Sequence, residues 1–177
     1  MSDELMNAQH TAELGFLEDI FVALGYEEVH LFERSEDVSL PTLAVGLEPD
    51  AKGRAKNLAL AFYPVPEFDD TNFLQYYIEL PFEADEEAQQ RVLPLLPYIN
   101  QRLVLGHFGI TEGEPHLHYR YVQALSSLDV ITEDQVKDVI AIVEYSPVLF
   151  EEILEQAAAG SLALDEARRM VVQRLSE

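Results

Sequence analysis

The side chains with the most chemistry in this sequence are three closely spaced histidines, His107, His116 and His118. Strand spacing about the turn Thr111-Glu112-Gly113-Glu114 sets Phe108 opposite Leu117 and His107 opposite His118, with His116 on the same face. Phe108, Ile110, Leu117 and Tyr119 then share the other face, so the imidazoles lie with Arg120 on the more polar one. Imidazoles placed in this way could hold Zn²⁺ or Ni²⁺, or act as a switch near neutral pH. A neighbouring guanidinium disfavours a bound cation. The expectation is therefore surface histidines with no metal or other cofactor, and a small-ligand or metal-responsive sensor on this hairpin face is the alternative.

Paired carboxylates are plentiful, among them Glu27 with Glu28, Asp69 with Asp70, Glu86 with Glu87 and Glu151 with Glu152. Adjacent acids point apart and hydrate separately, whereas acid/base catalysis needs them to converge in a dry cleft. The sequence has no nucleophile elbow, phosphate-binding loop or dinucleotide fingerprint, so no enzyme activity is expected. Tyrosines are the more informative class, because they supply interface area with a polar tip. Phe73, Gln75 and Tyr77 lie on the opposite side of a strand from its apolar row, and with Tyr121 they are the candidate partner-binding residues.

The elements that must position these groups follow from hydrophobic spacing. Leu14, Leu17, Ile20, Phe21 and Leu24 mark a helix over 11–24, stopped by Gly25. Val29 and Leu31, then Leu43, Val45 and Leu47, then the run Leu58–Tyr63 predict three strands. The loop Glu48–Lys56 reads as a hairpin turn with Lys52, Arg54 and Lys56 projecting into water. Pro64 and Pro66 end the third strand, and Leu74, Tyr76, Ile78, Leu80 and Phe82 give the clearest strand of all.

Helix spacing returns over Asp85–Gln101, with a kink or tight turn expected at Pro94 and Pro97. A hairpin of Leu103–Ile110 and Pro115–Leu125 follows. Thr132 and Gln135 form a capping box for a helix through Val136, Val139, Ile140 and Val143. Pro147 either kinks that helix or begins a new one running to Ala159. A last helix spans 162–175. Strands followed by helices favour α+β, an antiparallel sheet flanked by helices, with a sheet face or edge left for a partner. The expected division is a main α+β domain over 1–160 and a C-terminal helical extension over 161–177.

Composition narrows the partner. Thirty-three acidic against 11 basic residues give a net charge of -22, and such a surface repels phosphate backbones and anionic lipid, so neither nucleic acid nor membrane is an expected partner. There is no cysteine, which removes disulfides, thiolate metal sites and cysteine nucleophiles. The first ten residues lack the basic start and apolar core of a secretory signal, and no apolar run is long enough to span a bilayer, so the cytoplasm is the expected location.

The segments Leu96-Pro97-Tyr98-Ile99-Asn100-Gln101-Arg102-Leu103, Gly106-His107-Phe108-Gly109-Ile110 and Leu117-His118-Tyr119-Arg120-Tyr121 resemble the YbjN family. The order of elements from roughly Thr11 to Ala159 resembles it too, and residues 161–177 fall outside the pattern. The resemblance implies a fold similar to type III secretion chaperones, commonly dimeric. It further implies a bacterial protein-interaction module, a regulator of sensory transduction, with no established enzyme chemistry. Together these readings lead to the expectation of a non-enzymatic protein-binding module, chaperone-like or a regulatory adaptor, acting as a homodimer.

Overall fold

The structure is a computed structural model that describes residues 3–36, 38–65, 67–68, 70–111 and 113–176. The predicted roles of Pro66, Asp69 and Glu112 fall outside the described residues. The chain is α+β, with one six-stranded antiparallel sheet of order β1-β2-β3-β4-β6-β5 and five helices among the described residues. It divides into two compact units, Met1–Ile78 with Tyr121–Val139, and Glu79–Arg120 with Ile140–Glu177. The two longest strands, β4 (Thr71–Glu83) and β6 (His116–Ser126), each run through both.

In the first unit, α1 (Asp3–Ala23) leads into β1 (Val29–Phe32), β2 (Thr42–Leu47) and β3 (Lys56–Tyr63). Gly25, at φ +96°, ends α1 as the sequence requires. The helix begins two turns before the predicted Thr11, because His10 extends the inward stripe of Leu14, Leu17 and Phe21: its ring is buried and stacked on Phe62, centroids 4.8 Å apart. Strand register aligns Leu43 with Leu60, Val45 with Leu58, Leu60 with Tyr76 and Phe62 with Leu74. These residues form one continuous buried face, onto which α1 packs.

The loop before β3 departs from expectation. Lys56 does not project into water but is buried as the first residue of β3, opposite Leu47. Arg54 is folded back, its Nε 2.7 Å and Nη2 2.6 Å from Asp50 Oδ2. Asp50 Oδ1 also accepts the backbone N–H groups of Lys52 and Arg54, an aspartate-templated turn that draws the Arg54 side chain inward, while Lys52 stays exposed as expected. Burial works against the charged form of Asp50, but the donors from Arg54 and Lys52 outweigh it and hold the carboxyl below its ordinary range.

In the second unit Asp85 caps α2 (Glu86–Val92), accepting the N–H of Ala88 at 2.8 Å, and the expected break at Pro94 separates it from α3 (Leu96–Asn100). The hairpin of β5 (His107–Ile110) and β6 differs from the predicted register by two residues: Phe108 faces Tyr119, and His107 faces Arg120. Pro115 has no N–H to give β5, and its carbonyl is taken instead by the N–H of Ala84 beyond β4. β5 starts only at His107, because Gly106 turns the chain at φ +68° while Tyr119 donates its hydroxyl to the Leu105 carbonyl.

One helix, α4 (Glu133–Ala158), passes through Pro147 without ending, and the final helix is α5 (Leu164–Arg174). The stripe Ile140, Val143, Ser146, Phe150, Ile153 and Ala157 stays buried across the proline, so packing decides where propensity was ambiguous. Ser146 donates to the Ile142 carbonyl at 2.8 Å. Gly160, at φ +72°, ends this helix. α5 buries Ala167 and Val171, and Arg174 meets Glu152 at 3.1 Å.

Candidate functional site

Period-two alternation gives β1–β4 two unlike faces. The inward face is the first unit's core. On the other, β2 and β3 present Ala44, Gly46, Ala59 and Ala61, flanked by Phe32, Tyr63, Phe73 and Tyr77. None of these residues is buried. Phe32 and Tyr63 are each about half exposed, at 49% and 50%. Phe68, 56% exposed, stands edge-on to Phe73 with centroids 5.5 Å apart. The result is a floor of small side chains between aromatic walls, open to solvent over Ala44, Ala59 and Ala61 and covered at Gly46 by the side chain of Glu28.

Three of the four predicted partner residues, Phe73, Gln75 and Tyr77, lie half-buried on this face of β4, with Tyr63 opposite Phe73 and Ala59 opposite Tyr77. Tyr121 does not join them. It lies beside Tyr76, centroids 5.7 Å apart, on the side where the Tyr76 hydroxyl donates to Gln123. Burial, with Tyr121 adding, pushes the Tyr76 phenol far above its ordinary range. Alternation from the buried Leu117 and Tyr119 already puts Tyr121 on that side. The alanine floor was missed from sequence, although Leu58-Ala59-Leu60-Ala61-Phe62 carries its signal, large residues inward and small ones outward.

The hairpin histidines are only partly assembled. His107 and His118 approach edge to face at 6.5 Å between centroids. His118 is buried, its Nδ1 3.4 Å from Thr111 Oγ1. His116 instead sits with Nδ1 3.2 Å from the Phe82 carbonyl and 3.8 Å from Glu79. Among the described residues no group of three His, Cys, Asp or Glu is arranged to hold a metal ion. Burial lowers the basicity of both His107 and His118, and Arg120 adds to the effect, as does His107 on His118.

Fold and surface together define an α+β protein whose antiparallel sheet keeps one aromatic-walled face open over β1–β4. No family model and no curated protein sequence matches the chain. Among solved structures it is similar to that of YbjN from E. coli, a candidate transcription regulator, at 15% identity and a TM-score of 0.46, over 83% of this chain and 93% of that one. That likeness brings with it no residue, partner or activity. No helix among the described residues is long and apolar enough to cross a membrane.

Proposed function

We propose that this chain is a non-enzymatic protein-binding module, and that the open face of β1–β4 receives a helix or strand from a protein partner. The observation that carries this reading is the alanine floor between Tyr63, Phe73, Tyr77 and Phe32. Small residues let a partner backbone approach closely, and rigid aromatic walls supply contact area at low entropic cost. Four strands at about 4.8 Å spacing make a trough roughly 14 Å wide. That width suits one helix, about 10 Å across with its side chains, better than a broad second domain. The charge of -22 works against polyanionic partners and in favour of a protein with a basic surface.

The test is a photo-crosslinking amino acid placed at Tyr63 or Tyr77 in cells, with Leu93 on the second unit as a control position. Adducts should concentrate in one segment of one protein and disappear when Ala61→Glu obstructs the floor. Crosslinks scattered over unrelated proteins, or a pattern unchanged by Ala61→Glu, would refute the assignment. A single adduct to a second copy of this chain, fixed in the same segment, would identify the partner as the homodimer mate.

A further inference from the structure

α1 is apolar on two sides. Its inward stripe fills the core, while Leu5, Ala8, Ala12 and Phe16 form a second, outward row, with Leu5 59% and Phe16 46% exposed. A helix greasy on both sides usually has both sides covered. Beside this row runs a groove of about 360 Å³, whose far wall is the connection between β6 and α4. There Leu128 and Val130 stand 89% and 74% exposed. They are held outward by backbone anchors, Ser127 N–H to the Asp70 carbonyl and Leu128 N–H to Ser126 Oγ, so the loop is tied in place with its apolar side chains in water.

The charge in the groove is of one sign. Glu13 is oriented by two neutral amides, accepting from Gln9 at 2.9 Å and, more weakly, from Asn72 at 3.4 Å. Asp129 stands on the opposite wall, and among the described residues no lysine or arginine lines the groove. A carboxylate aimed by amides, with no lysine or arginine beside it among the described residues of the groove, at the edge of an apolar track, is complementary to an ammonium or guanidinium carried on an apolar scaffold.

We infer that this groove is a second binding site, separate from the open sheet face, and that its occupant is a cationic amphipathic helix from a protein partner, with a Lys or Arg on Glu13. The row from Leu5 to Phe16 runs for about 16 Å at 1.5 Å per residue, which matches three turns of a docked helix. A small amine would leave Leu128, Val130 and most of that row uncovered. Polyanions are repelled by both walls.

The experiment uses the full chain and three labelled synthetic helices of about 18 residues sharing one leucine ridge, flanked by Lys, Gln or Glu. Anisotropy titrations should rank them Lys, then Gln, then Glu, with about tenfold between the first two. Glu13→Gln should weaken the Lys helix roughly three- to tenfold and leave the Gln helix unchanged, which also shows that the groove is intact. Leu128→Ser should weaken both, and hydrogen exchange should slow on α1 and residues 125–131. The inference is overturned if Glu86→Gln with Glu87→Gln, far along the chain in α2, weakens the Lys helix as much as Glu13→Gln does, since binding would then be mere charge attraction. It is equally overturned if hexylamine alone displaces the helix, or if protection of α1 depends on protein concentration and not on the peptide.

Discussion

A Cβ built on Gly109 would stand 2.7 Å from Nε2 of His118, its cross-strand neighbour. That is inside van der Waals contact, and His118 is buried with its other nitrogen near Thr111, so the ring has little room to retreat. Gly109→Ala should therefore cost about 1–3 kcal/mol in urea unfolding. In a His118→Ala background the cost should fall to about 0.5 kcal/mol or less, a coupling that a double-mutant cycle reads directly. Equal costs in the two backgrounds would mean that the imidazole is not what the new methyl meets. Period-two spacing was enough to put the histidines on one face, because a register shift of two residues preserves parity. The burial of His118 was not legible. It depends on a glycine lying opposite and on the threonine at the strand end, a pairing set by Pro115 binding outside the hairpin.

Among the elements, α4 shows what local sequence can and cannot decide. Its start was readable: Thr132 N–H donates to Gln135 Oε1 at 2.9 Å, and Gln135 N–H returns to Thr132 Oγ1 at 3.3 Å, the reciprocal box expected from the spacing. Thr132→Ala should cost about 1 kcal/mol and raise hydrogen exchange in the first turn of α4. Unchanged exchange there would show that packing of Val136, not the cap, fixes the start. The continuation past Pro147 was not readable, since the same proline suits a kink or a first turn. The outcome rests on Pro147 being buried and on the apolar stripe resuming in phase at Phe150. The early start of α1 was hidden for a related reason, as a histidine at the first inward position does not register as hydrophobic even when its ring is stacked on Phe62.

For the molecule as a whole, acidity and buried imidazoles pull stability in opposite directions as pH falls. Protonation relieves the self-repulsion of a chain at -22, which favours the folded state. His10 and His118 act the other way. Burial is the main cause lowering the basicity of each, only partly offset at His10 by Glu13 and Asn72, and reinforced at His118 by His107 and Arg120. In the unfolded chain both titrate near 6.5. Below that pH the unfolded chain takes up protons that the folded chain resists, so stability drops until the lower folded values are reached. Each proton contributes a slope of at most about 1.4 kcal/mol per pH unit. Urea unfolding between pH 7.5 and pH 5, values of about one unit above and 1.5 below the unfolded midpoint, should show this loss in the wild type. The slope should flatten or reverse in His10→Gln with His118→Gln, where His107, whose basicity burial and Arg120 also lower, is left to oppose the relief of acidic repulsion. An unaltered slope in that double variant would place the titrating groups elsewhere, whatever the absolute stability of the variant.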